Sequence, residues 1–414
     1  TVVRGGWGLF FGLRGAEFGD SLQPGFSQRT NVVASNDNGQ TYVASISNPL
    51  PNGLVQPLGA AGGLLTFLGR SPGFFDLAGD RPMTQRFSLT VQFQPFARSV
   101  FEVGFMGTRS SNLASTTYFN PAAREYLSTS PTRDQATIDF LAATVKNPFK
   151  GIDGFQGAGL YTAANTNRAQ LLRPYPHFTD LNTSTPIGES SYNALLLRFE
   201  RRLTAGFQLQ ANYTWSKTIE STQFLNETDS EPERVVSNLD RPHRLVVNAI
   251  YDLPFGRAKK FGSNANAVVN HLIGGWQISA IYNAQSGPPL EWGNVIYGGQ
   301  FTDIRLSSSE RILERWFNTD GFNRNSQEQL ASNIRTFPRR ISAVRADGMN
   351  MWDIGVIKNI QIWEDIRIQL RGEAEGATNT PNFGAPNVSP TSSLFGQVTG
   401  TQTNQEERRI FVGL

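Results

Sequence analysis

Alternation of apolar and polar residues is the strongest signal in the chain. In 206–216 the odd positions Phe207, Leu209, Ala211, Tyr213 and Trp215 are apolar, and Gln208, Gln210, Asn212 and Thr214 stand between them. A period of two sends successive side chains to opposite faces of a strand, so this stretch reads as β-structure with one greasy and one wet face. Phe87, Leu89, Val91 and Phe93 alternate with Arg86, Ser88, Thr90 and Gln92 in the same way. So do Ile366, Ile368, Leu370 and Ala374 with Arg367, Gln369, Arg371, Glu373 and Glu375. Weaker alternation marks 2–12, 99–108, 192–203, 244–253, 276–285, 350–360 and 408–414, which makes ten candidate strands.

The same alternation describes half-buried strands of a soluble sandwich, so the connections decide between the two. They run long over 13–83, short over 95–98, long over 110–191, short over 204–206 and long over 217–243. Then come an intermediate connection over 254–275, a long one over 286–349, a short one over 361–365 and a long one over 376–407. This rhythm is expected of a transmembrane barrel, whose turns gather on one side of the membrane and whose loops gather on the other. The one departure, 254–275, contains a segment, 265–273, that reads as a short surface helix. From Phe207 to Trp215 the chain makes steps of about 3.3 Å, roughly 26 Å of strand, which a tilt near 40° turns into about 20 Å of height. Phe207 at one end and Tyr213 and Trp215 at the other resemble two interfacial girdles, with Leu209 near the centre of the band. The fold class expected is all-β, an antiparallel transmembrane β-barrel with long extracellular loops, located in the outer membrane.

Composition agrees. Hydrophobic residues are 39% and charged residues 17%, with 40 Gly and 29 Phe, so aromatics and glycine replace the Lys and Glu of helical proteins. No run of eighteen apolar residues offers a membrane-crossing helix, which a barrel does not need. Cysteine is absent, which removes disulfides and thiolate chemistry together. Basic and acidic residues number 37 and 34, a net charge of +3, and Arg201–Arg202 and Lys259–Lys260 are isolated pairs, so nucleic acid is not expected as a partner.

Candidate chemistry is sparse. His177, His243 and His271 lie far apart in sequence and without metal-type spacing, and read as loop or interfacial residues. Neither a nucleophile elbow nor a phosphate loop occurs. Gly5-Gly6-Trp7-Gly8 continues into Leu9-Phe10-Phe11 and reads as a close-packed strand. Asn36-Asp37-Asn38-Gly39 lacks the downstream acid of a calcium loop and reads as a turn. Glu220, Glu227, Asp229, Glu231 and Glu233 form an acidic run, read as solvated. No cofactor, metal or covalent chemistry is expected.

Two sets of residues are candidates for function. Trp292, Tyr297, Arg305, Arg311 and Trp316, within the loop 287–338, combine aromatics with arginine as binding surfaces do, although packing of the loop on itself would use the same residues. Arg198, Glu200, Arg202, Gln210, Arg371 and Glu373 fall on the wet side of their strands and would face the lumen.

A family resemblance adds to this. Ser191-Tyr192-Asn193-Ala194-Leu195, Phe199-Glu200-Arg201-Arg202-Leu203 and Tyr213-Thr214-Trp215-Ser216-Lys217 resemble the barrel of Oar-like TonB-dependent receptors. Asp240-Arg241-Pro242-His243-Arg244, Asp252-Leu253-Pro254-Phe255-Gly256-Arg257, Gly274-Gly275-Trp276-Gln277 and Ala284-Gln285-Ser286-Gly287-Pro288-Pro289 follow in the same order, as does Leu171-Leu172-Arg173-Pro174-Tyr175-Pro176 before them. The resemblance covers about residues 84–414 and, less fully, the first strand. It implies a larger barrel of which 1–414 is the C-terminal part, with the plug domain and N-terminal strands absent from this sequence. The partners it implies are outer-membrane lipid, the plug of the same full-length chain, a periplasmic TonB-type energy-coupling protein, and a small-molecule, oligosaccharide or peptide ligand. The alternatives are a self-contained passive pore and a soluble β-rich binding or surface-structural protein.

Overall fold

The computed structural model describes residues 1–13, 26, 29–57, 59–76, 79–363, 366–402 and 408–413. Ten strands form its wall: β1 (Val2–Phe11), β2 (Met83–Phe93), β3 (Ser99–Tyr118), β4 (Asn182–Thr204), β5 (Phe207–Ser221), β6 (His243–Asp252), β7 (Trp276–Gln285), β8 (Met349–Gln361), β9 (Arg367–Glu375) and β10 (Arg409–Gly413). Each pairs antiparallel with the next in chain order, and β1 and β10 are the edges of the sheet. Asp365, Glu407 and Leu414, which bound expected turns and the last expected strand, lie outside the described residues.

Local chemistry sets the short turns. Between β4 and β5, Ala205 and Gly206 both have positive φ, 51° and 79°, and Thr204 pairs with Phe207. Two successive left-handed residues are what a two-residue hairpin needs to match strand twist. Asn38 and Gly39 repeat the device at φ 57° and 89°, so 36–39 is a turn as expected. The Asp37 carboxyl there is held at about 2 by hydrogen bonds from the Ser35 and Thr41 hydroxyls. Gly5, Gly6 and Gly8 lie in β1, and a Cβ on Gly8 would press on the Phe10 ring at 3.0 Å.

Register carries the two faces around the wall. Arg198 pairs with Asn212 and Glu200 with Gln210 between β4 and β5, and Gln210 pairs with Asn248 on β6. Gly355 pairs with Glu373 and Ile357 with Arg371 between β8 and β9, which keeps them on the same side. Opposite them, Leu197 pairs with Tyr213, Tyr213 with Leu245, and Tyr282 with Trp352. This outer face stays open: Trp7, Leu89 and Trp215 are 69%, 53% and 57% exposed. A soluble sandwich would bury such residues against a second sheet. Leu209, expected at mid-band, stands opposite Arg201 and so lies nearer the short-turn rim. The wet face is mixed, with Val246, Ile250 and Ile281 among its polar residues, which is why alternation in β6 and β7 is weak in the sequence.

β3 and β4 run well beyond expectation. β4 runs 23 residues, a length of about 70 Å at the rise of a strand, and β3 pairs with it as far as Tyr118 and Asn182 with bulges between Ser110 and Ser115. The added part is rich in Ser and Thr with no greasy face, so alternation cannot mark it. The long connection after β3 is therefore 119–181, which begins nine residues beyond the expected 110 and ends ten before 191.

The hydrophobic core of the molecule lies outside the wall, in the long connections. Leu290, Trp292, Val295, Ile304, Trp316, Phe317, Phe322, Phe337, Val344 and Ala346 bury together with Phe395 and Val398 from the loop after β9. Trp292 stacks on Phe322 at 5.4 Å and meets Phe317 edge-on at 5.0 Å, and Phe322 meets Phe395 at 5.2 Å. Each such side chain, fully buried, contributes about 1.5–3 kcal/mol. A short sheet of Pro289–Glu291 and Arg340–Arg345 closes this loop body.

Candidate functional site in the wet face and the loop cap

The wet face is concave. A cavity of about 400 Å³ is lined by Gln208, Gln210, Asn248, Ser279, Asp353, Glu373 and Glu375, with Ile250 and Ile281 between them. Arg371 and Glu373 form an ion pair at 3.3 Å on the same face. On β4, Arg198 reaches Glu200 at 2.7 Å and Glu102 at 3.8 Å, and Arg202 reaches Glu200 at 3.9 Å. All six residues expected to face the lumen share this surface; Gln210 and Glu373 line the cavity, whereas Arg198, Glu200 and Arg202 form a separate charged row one strand away. Exposed pairs of this kind contribute at most about 1 kcal/mol each, so they leave the face chemically available.

The loop residues are distributed differently. Trp292 and Trp316 are 2% and 8% exposed and belong to the loop core, so packing of the loop on itself is the reading the geometry supports for them. The aromatic-plus-arginine pattern could not show this, because apolar burial and ligand contact use the same side chains. Arg305 is exposed, Arg311 lies over the Trp316 ring at 5.6 Å, and Tyr297 is half-buried with its hydroxyl donating to the Gln300 carbonyl at 3.0 Å. These three remain on the surface of the body.

The sequence reading missed the latches that hold the body to the wall. Asp240, fully buried, accepts from the Thr218 amide at 2.6 Å and from Arg345 Nη2 at 2.6 Å. Arg340, with 4% of its side chain exposed, donates to Glu220 Oε1 at 2.7 Å and the Val236 carbonyl at 2.7 Å, and pairs with Glu291. Burial opposes its charge, but the Glu220 and Glu291 carboxylates outweigh that and raise its pKa. The acidic run is therefore solvated only in part, at the exposed Glu227 and Glu231. Glu220 pairs with Arg340, Asp229 pairs with Arg124 at 2.6 Å, and burial raises the pKa of Glu233 against the opposing effect of Arg335, Arg339 and Arg340. The motif 240–244 could have flagged Asp240, but its partner Arg345 lies 105 positions away.

Further ties join the loops into one cap. The Arg335 amide donates to Asn226 Oδ1 at 2.7 Å, the Ser128 amide to the Ser332 carbonyl at 2.9 Å, and the Trp316 amide to the Gly396 carbonyl at 2.8 Å. A second cavity, about 340 Å³, opens at the cap margin between Asn350, Thr378, Asn379, Thr401 and Arg408. The histidines are loop or rim residues as expected: His243 stacks on Tyr213 with Nδ1 2.7 Å from the Tyr hydroxyl, and His177 packs on Phe178.

A sheet that is greasy without, wet within, and capped at one end only is the wall of an outer-membrane β-barrel. The chain belongs to the outer membrane beta barrel domain family, which matches residues 1–411. It is a protein of the outer membrane. No curated protein matches it. Among solved structures it is similar to the outer membrane transporter YddB from Escherichia coli, at 8% identity and a TM-score of 0.39, covering 83% of this chain and 34% of that one. The pyoverdine outer membrane receptor FpvA from Pseudomonas aeruginosa PAO1 gives 9% identity and a TM-score of 0.36, with 80% and 29% covered. The ferric-catecholate import receptor Fiu from K12 E. coli gives 9% and 0.35, with 85% and 30% covered. The chain spans about a third of the length of these structures.

Proposed function

We propose that this chain is the C-terminal part of the barrel of an Oar-like TonB-dependent receptor, whose cap captures a ligand and whose lumen holds a plug supplied by the rest of the polypeptide. The observation that carries this reading is the wet face itself. Asp353, Glu373 and Glu375, with Gln208, Gln210 and Asn248, line a concavity that also exposes Ile250 and Ile281. A lumen open to water needs no apolar patches, whereas one packed against a folded plug uses both kinds of contact. Ligand capture falls to the cap surface, with Tyr297, Arg305 and Arg311 as candidate contacts and Trp292 and Trp316 as the frame beneath them. Uptake is then driven by a periplasmic energy-coupling protein, without covalent chemistry.

Conductance separates this reading from a passive pore. The full-length protein in a planar bilayer should be electrically silent, and should bind the periplasmic domain of the coupling protein in a pull-down. A steady open conductance together with no such binding would favour the passive pore and end the receptor reading.

A further inference from the structure

The connection 253–275 between β6 and β7 departs from the long-short rhythm, and belongs to neither the strand ladder nor the cap. It lies at the same end of the sheet as the short turns after β2 and β4. Phe255 and Phe261 close its first half, with the Gly256 amide donating to the Phe261 carbonyl at 2.8 Å and the two rings 5.6 Å apart. A helix, Ala267–Ile273, follows, started by the Asn266 side-chain oxygen accepting from the Val269 amide at 2.9 Å.

The end of this helix is fastened to the outer face of the wall. Trp276 and Lys358 are register partners on that face. Trp276 Nε1 donates to the Leu272 carbonyl at 2.9 Å, and Lys358 Nζ donates to the carbonyls of Leu272 and Gly274 while lying 5.0 Å from the Trp276 ring centre. Lys358, a charge on the greasy side of its strand, is thus used up by the helix end. The helix then turns its apolar side outward: Val268 and Leu272, four positions apart and so on one face, are 70% and 68% exposed. A helix on a water-facing surface points such residues inward. Here the helix end is tied to Trp276 and Lys358, and the same face of the wall carries the exposed Tyr251 and Val356, which flank Ile278 two residues further along the strand from Trp276.

Charge completes the pattern. The segment 253–275 holds Arg257, Lys259 and Lys260 and no Asp or Glu. All three are exposed, and none has an acidic partner among the described residues. An apolar helix face beside unpaired cations is the combination that seats a segment in the plane of an anionic membrane surface.

We propose that 253–275 is an interfacial anchor for anionic phospholipid in the leaflet at the short-turn end of the barrel, with Val268 and Leu272 in the acyl margin and Arg257, Lys259 and Lys260 on lipid phosphates. The proposal rests on the membrane location of the family and not on the transport reading, so the two stand or fall separately.

The test uses the full-length protein in nanodiscs of phosphatidylcholine with or without phosphatidylglycerol. A fluorophore on Leu272→Cys should be quenched by brominated acyl chains; a probe that stays in water overturns the seating of the helix. The phosphatidylglycerol retained after purification, read by native mass spectrometry, should fall about five-fold for each charge removed in Lys259→Gln/Lys260→Gln. Lys150→Glu, on the cap side, should leave it unchanged. Heat-modifiable migration checks that each variant is folded. Equal retention by the double variant, or full displacement of the lipid by excess inorganic phosphate, overturns the proposal, the latter because the site would then be one for free phosphate.

Discussion

The wall and the loop cap are built from the same residue types on opposite rules. In the wall Trp7, Leu89 and Trp215 face outward and stay exposed, whereas in the cap Trp292, Phe317 and Phe322 face inward and are buried. The wall needs no apolar core of its own, because hydrocarbon takes the place of one and the strand ladder satisfies the backbone. The cap stands in water and needs a soluble protein's core, with buried ion pairs joining it to the strands beneath. Stability should therefore respond to opposite substitutions in the two regions.

The largest effect is expected in the cap. Phe317→Ala removes a fully buried ring and should cost about 3–5 kcal/mol of cap stability. Limited proteolysis should then cut within 286–348 or 376–402 while the barrel still migrates as a folded species; loss of both together would mean the two regions do not fold on separate rules.

Next is the latch. Asp240→Ala leaves Arg345, with only 14% of its side chain exposed, without its carboxylate, at a cost of about 3 kcal/mol. Hydrogen exchange should quicken in Arg340–Arg345 and leave the β6–β7 ladder as it was.

In the wall, the pair Leu197→Arg and Gln210→Arg sharpens the contrast. The first puts a charge on the outer face and should cost about 2–4 kcal/mol with impaired insertion. The second adds it to the wet face and should stay within about 0.5 kcal/mol. Equal tolerance of the two in a refolding titration would contradict the assignment of faces.

The smallest effect concerns pH. Burial raises the Glu233 carboxyl above its ordinary 4.5, so the folded cap keeps a proton that the unfolded chain has released. From 4.5 up to the raised value, stability therefore falls as pH rises. Glu233→Gln should flatten that slope, which cap melting followed across the window would reveal.

Which parts were legible follows from the range of the interactions involved. The faces of Phe207–Trp215 and of Arg198, Glu200, Gln210, Arg371 and Glu373 could be read because a strand's period is local and lipid and water sort its two sides residue by residue. The hairpin at 205–206 and the helix near 265–273 were marked by equally local signals. The Ser- and Thr-rich extensions of β3 and β4 were not legible, since both of their faces meet water and no alternation is selected.

The chain by itself pointed to a membrane wall, through side-chain periods and connection lengths, and left a soluble β-rich protein as the alternative. Only tertiary structure decided that Trp292 and Trp316 are framework, that Asp240 meets Arg345 and Glu220 meets Arg340, and that Lys358 caps a helix on the outer face. Those outcomes depend on groups far apart in sequence whose burial and charge pairing are fixed only once the loops have folded over the strands.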